Sequence, residues 1–157
     1  MNQLNRANYY RDQIIANLAF NSLVNGLIAY YAYRARGSIL LLEMAVDIQI
    51  TVAIIAFLVA WLGVASARKK LAASRASAAG PAGIGLRLPA NAVLRALVIM
   101  VALMLVYGGV VLTGSLSLLT PAGLSNWAYF AFKTIYTGVC GACAAVLAIK
   151  SVFQEYN

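Results

Sequence analysis

Cys140 and Cys143, in the run "VCGAC", form the one redox-looking motif of the chain. A Cys-x-x-Cys spacing suits a dithiol that cycles through a disulfide, or one half of a metal site. The chain has no histidine and no second cysteine pair, so the metal reading lacks its other ligands and no metal or other cofactor is expected. Two charged residues stand inside apolar sequence. Asp47 precedes Thr51 by four residues, and Lys133 precedes Thr137 by four. An ionisable residue within a membrane-spanning segment is a functional-site candidate by default. Three carboxamides, Asn17, Asn21 and Asn25, recur every fourth residue in "NLAFNSLVNG". That spacing puts them in one stripe over about 12 Å of helix. No nucleophile stands beside a base in a way that suits hydrolysis, and an enzyme is not expected.

The elements that must position these groups are membrane helices. Of 157 residues, 63% are hydrophobic and only 10% are charged, against about 25% charged in soluble domains. Mean hydropathy is +0.83. The excess lies in four apolar runs, at about 14–33, 48–65, 96–113 and 127–149. Each suits a helix crossing a hydrocarbon core about 30 Å thick, which takes about 20 residues. A helix satisfies its own backbone groups, for which lipid offers no partner. The sequence therefore predicts an all-α polytopic membrane protein, one four-helix domain over 1–157 built as two hairpins. A soluble fold would need more polar surface than so short a chain provides. Arg6 and Arg11 before the first run, with Ala35-Arg36-Gly37 after it, have some features of a signal peptide. The run is too long for one and is interrupted by asparagines, so an uncleaved first helix is expected.

Lysine and arginine give the orientation. Arg6 and Arg11 lie in the N-terminal arm, and Lys150 lies near the C-terminus. The second connection carries Arg68, Lys69, Lys70, Arg75 and Arg87, with Arg95 just inside the third helix. The first connection has Arg34 and Arg36, and 114–126 has no charge. The positive-inside rule then puts both termini and the 66–95 connection in the cytoplasm. Tyr30, Tyr31, Tyr33, Tyr107, Trp127 and Tyr129 mark the outer interface, and Tyr9, Tyr10, Phe153 and Tyr156 the inner one. The net charge of +8 is mainly this topology signal. Arg68, Lys69, Lys70 and Arg75 are candidates for contact with lipid headgroups. No nucleic-acid partner is expected, because the basic residues are not interleaved with aromatics. The Ala/Gly/Ser-rich stretch "LAASRASAAGPAGIGLRLPAN" predicts a flexible linker between the hairpins.

The two halves share short features: "GSILLL" at 37–42 against "GSLSLL" at 114–119, and the Asp47/Thr51 spacing against Lys133/Thr137. A pair of parallel repeats would be a transporter-like theme. Unpaired amides are costly in hydrocarbon, so the asparagine stripe must face other helices or water. Interhelical hydrogen-bond glue is the preferred reading, and a polar lining for a path is the other. By depth, Asn25, Thr51, Lys133, Thr137 and Asp47 converge in the outer half. Asp47, at the start of helix two, is expected to pair with Lys133. The competing reading has Lys133 snorkelling to the headgroups. Glu43 is read as a solvated loop charge.

The Cys-x-x-Cys spacing near a fourth helix resembles the four-helix quinone-linked disulfide enzymes of the vitamin K epoxide reductase type. Those enzymes use a second, loop cysteine pair, which this chain lacks. Gly138, Gly141, Ala142, Ala144, Ala145 and Ala148 surround the motif. The cysteines read as further small packing residues, deep in the helix and far from the water a thiolate needs. The stretches "NGLIAYYAYR" and "DIQIT" resemble small uncharacterised bacterial inner-membrane proteins. That resemblance implies a four-helix fold in a bacterial inner membrane and no particular chemistry. The functional expectation is a small permease-like or channel-like unit acting as a homo-oligomer, with the path between subunits. The alternative is an accessory or scaffold subunit of a larger membrane complex, and a thiol–disulfide oxidoreductase is more remote.

Overall fold

The computed structural model describes residues 6–74, 88–111, 113–114 and 124–154. It is all-helical apart from one short ladder. Helix α1 spans Arg6–Tyr33, α2 Leu41–Ser74, α3 Ala92–Leu103 and α4 Asn126–Phe153, and a π-helical segment, Met104–Val111, continues α3. Four helices are long and apolar enough to cross a membrane, which makes this a multi-pass membrane protein.

The helices outrun the apolar segments for local reasons. Glu43, read from sequence as a loop charge, lies in the first turn of α2, where a carboxylate suits the helix dipole. It pairs there with Arg36 at 2.9 Å. At its other end α2 continues through 66–74, which the sequence reading gave to the flexible connection. Ala, Leu, Arg and Lys are strong helix formers, and no glycine or proline interrupts them. Asn91 restarts the chain as the cap of α3, its side-chain oxygen accepting from Val93 N at 2.9 Å and Leu94 N at 3.2 Å. Ser125 caps α4 by accepting from Ala128 N.

Two strands of two residues were not expected. β1, Ser38–Ile39, pairs antiparallel with β2, Leu124–Ser125. The Ile39 side chain is fully buried, so an extended, β-branched anchor fixes the loop after α1 to the start of α4. This ladder marks one end of the molecule. At the opposite, terminal end, Tyr9 near the start of α1 stands edge-on to Phe153 at the end of α4.

Helix α4 is the hub. It packs against α1 and α2, while α3 packs chiefly on α2, and α1 and α2 barely meet along their length. Its buried face is made of small residues. A Cβ at Gly138 would strike Ser22 and the Leu18 carbonyl, one at Gly141 the Asn21 carboxamide, and one at Gly26 of α1 the Thr134 hydroxyl. Close backbone approach of this kind is how membrane helices associate without a hydrophobic driving force. Large apolar side chains such as Phe20, Leu23, Leu62, Leu105 and Ile135 point outward.

Candidate functional site

The ladder end holds the polar centre. Asp47 is about two turns inside α2, not at its start, because the helix begins at Leu41. Lys133 Nζ lies 2.6 Å from Asp47 Oδ2. The lysine side chain is 1% exposed and the aspartate 25%. Tyr129, one turn before Lys133 on α4, donates its hydroxyl to the same Oδ2. The Tyr33 ring of α1 stands edge-on to Tyr129, 5.3 Å between centroids. The expected partnership of Asp47 and Lys133 is therefore present, and snorkelling is excluded. The ammonium is enclosed between helices, where the Asp47 carboxylate, itself bonded by the Tyr129 hydroxyl, offsets its desolvation better than a stretched stem would.

The threonines play another part than the sequence suggested. Thr51 donates to the Asp47 carbonyl and Thr137 to the Lys133 carbonyl, each at 2.7 Å and within its own helix. Thr137 also reaches the Asn21 carbonyl of α1 at 3.3 Å. The matched spacings thus serve local back-bonding.

The asparagine stripe is the largest departure. Asn17 Nδ2 donates to the Gln13 carbonyl at 2.9 Å, Asn21 to Asn17 at 2.8 Å and Asn25 to Asn21 at 2.9 Å. All three donors serve their own helix, so the glue reading fails for them. The carbonyl four residues back is always within reach, and no partner side chain needs to be ordered. The stripe instead lines a groove of about 430 Å³ between α1 and α2, opposite Ile54, Ile55, Leu58 and Leu62. Asn25 therefore faces this groove and does not join Asp47 and Lys133.

Cys140 is fully buried in the apolar cluster of Ile55 and Tyr136, and Cys143 packs half-buried against the other cluster, which includes Ala144 and Val64. Both are free thiols. Among the described residues, no three His, Cys, Asp or Glu side chains come together. Of the headgroup candidates, Arg68 donates to the Ala90 carbonyl at 2.6 Å. Lys69 is exposed, and the Lys70 ammonium sits 4.4 Å from the Tyr9 ring centroid. Arg75 lies outside the described residues.

Sequence reasoning missed three features. Arg95, counted only as a topology charge, is 1% exposed. Its guanidinium donates to the Pro89 carbonyl at 2.9 Å and to Ser151 Oγ at 3.4 Å. Tyr107 and Tyr136 exchange bonds, each hydroxyl donating to the other's carbonyl at 2.6 Å. Gln49 presses its carboxamide against Gly108 of the π-helical segment, where no Cβ fits. The glycine pair Gly108-Gly109 was the available signal for that contact.

Comparison with protein families, with characterised proteins and with solved structures finds no significant match. The arrangement of side chains is therefore the basis for a functional reading.

Proposed function

We propose that this chain is a small multi-pass subunit acting by lateral association in the bilayer, as an accessory or scaffold member of a larger membrane complex. One observation carries the reading. Most polar groups described inside the bundle bond one another or their own helices: Asp47 with Lys133 and Tyr129, and one N–H of each asparagine with a carbonyl four residues back, while the buried Gln49 Oε1 is the exception. The groove beside them carries exposed apolar side chains, Phe20, Ile28, Ile54 and Leu62, along its rim. A spanning path would need polar groups left available to water or ions.

The second reading is the permease-like or channel-like homo-oligomer. The quarter-exposed Asp47 carboxylate favours it, since that group remains within reach of water. The test is reconstitution of the purified chain into vesicles, together with mass analysis of the complex extracted in mild detergent. A stoichiometric complex with a larger membrane protein, and solute flux no faster than in empty vesicles, is the expected result. Flux abolished by Asp47→Asn would replace this reading with the second.

In the proposed topology both termini and the connection between α2 and α3 face the cytoplasm of a bacterial-type inner membrane. The concentration of Lys and Arg from Arg68 to Arg95 supports this. In a background without Cys140 and Cys143, single cysteines replacing Ser77 and Ser117, both outside the described residues, should label from opposite sides. Labelling of Ser77→Cys by an impermeant reagent in intact cells would invert the topology.

A further inference from the structure

The groove between α1 and α2 is bounded by side-chain contacts at the ladder end and narrows to a polar mouth at the terminal end. At the terminal end the Tyr9 hydroxyl meets Ser66 Oγ at 3.4 Å, and the Lys70 ammonium covers the Tyr9 ring. At the ladder end Ala29 of α1 shares one buried cluster with Met44, Ile48 and Val52 of α2, and the partly buried Tyr33 packs against it. The lining runs from Gln13 to Ile28 and from Ile54 to Ser66. At 1.5 Å per residue the groove is about 20 Å long. One leaflet's hydrocarbon is about 15 Å deep, half of a core of about 30 Å. The cavity volume of about 430 Å³ falls within the range of small-ligand sites, roughly 300–1,000 Å³.

The walls select an apolar occupant. Each asparagine already places one N–H on α1, the facing wall is Ile54, Ile55, Leu58, Val59 and Leu62, and Phe20, Ile28, Ile54 and Leu62 at the rim are exposed. A second copy's spanning helix, about 10 Å wide and 30 Å long, outruns a lined length of about 20 Å. The mouth selects charge. Lys69 and Lys70 follow Ser66 by three and four residues and so continue the lining face by one turn. Gln13 and Ser66 add hydrogen-bonding groups at that end of the lining. The one acid described near this end, Asp12, is paired with Arg11 at 3.3 Å.

From this geometry we infer that the α1–α2 groove binds one anionic phospholipid, with an acyl chain along the asparagine stripe and the headgroup phosphate between Lys69 and Lys70. On the proposed topology the mouth lies in the cytoplasmic leaflet, where anionic lipids concentrate. The lipid-binding claim itself holds whichever way the subunit functions.

Native mass spectrometry of the full chain tests it, using phosphatidylglycerol and phosphatidylcholine with identical acyl chains. One phosphatidylglycerol per chain should survive detergent removal, and phosphatidylcholine should be lost first. Lys69→Ala with Lys70→Ala should weaken retention roughly thirtyfold, about fivefold for each lysine. Lys69→Ala alone, at an exposed position outside the Tyr9 contact, should give its own fivefold without disturbing the fold. Val24→Phe fills the groove and leaves the charges alone, so it should reduce retention of both lipids. Leu62→Trp at the rim is the substitute if that variant does not fold. Three results would overturn the inference: equal retention of both lipids, no retained lipid, or lysine-dependent retention unaffected by filling the groove. A lipid-free dimer as the tight species would also overturn it, by making a second copy the occupant.

Discussion

The α2–α4 contact at the ladder end and the α1–α2 groove hold the same kind of problem, polar side chains inside a membrane, and resolve it in opposite ways. Asp47 and Lys133 find each other across helices at 2.6 Å and draw in Tyr129. Asn17, Asn21 and Asn25 bond backward along α1, and the helix beside them stands off by a groove of about 430 Å³. The difference follows from the cost of isolation. An unpaired ammonium has no partner within its own helix turn that matches a carboxylate, so it must recruit one from a neighbour. A carboxamide can place an N–H on a carbonyl always four residues away, so it need not recruit a neighbouring helix. Charge closes one helix pair, and self-sufficiency leaves the other open.

The strongest way to break this comparison is to isolate the lysine. Asp47→Ala leaves the 1%-exposed Lys133 uncompensated, with an expected cost of about 3–5 kcal/mol in detergent unfolding. Joining it with Lys133→Met should recover most of that loss, and additive effects would show that the pair is not coupled.

A middle-sized effect sharpens the contrast between packed and open faces of α1. In Gly138→Leu the Cβ would meet the Leu18 carbonyl at 3.0 Å, a backbone atom that cannot rotate away. The expected cost is about 1–3 kcal/mol, with faster hydrogen exchange along α1. Val24→Phe, on the groove side of the same helix, should change stability by no more than about 0.5 kcal/mol. Equal losses at both positions would mean that the groove is filled in the native protein by something as rigid as α4.

Smallest is the expected effect at Asn17. Asn17→Ala removes a bond within the helix, taken as worth about 0.6 kcal/mol, the average for membrane-helix side-chain bonds. It also gains helix propensity, up to about 0.7 kcal/mol, so thermal midpoints in detergent should coincide with wild type. Cys140→Ala with Cys143→Ala should likewise preserve size and expression, since both thiols serve as small packing groups. Reversible disulfide formation coupled to an activity would contradict that.

Much of this was legible in the sequence. Four apolar runs give four helices, and the charges isolated within them, Asp47 and Lys133, are close enough in depth to be paired by inspection. The small residues of α4 correctly announce a tight face. What was not legible depends on which of two available partners a side chain takes. A carboxamide on a helix has both a neighbour and its own carbonyl within reach, and spacing does not separate them. Helix length failed at 66–74 for a related reason, because low hydropathy ends a membrane span but does not end a helix. The burial of Arg95 was hidden because its acceptors, Pro89 and Ser151, come from a loop and from a helix far away in sequence.

The central claim is that no aqueous path runs along the asparagine stripe. Its most direct test is Asn21→Cys, a buried position midway along the groove, in a background where Cys140 and Cys143 are alanine. The chain is reconstituted in sealed vesicles and treated from both sides with an impermeant thiosulfonate, which reacts with a hydrated thiolate. The account predicts no modification from either side while the native fold is retained, with full modification after denaturation. Rapid modification of the folded chain from either side would place water in the groove and contradict it.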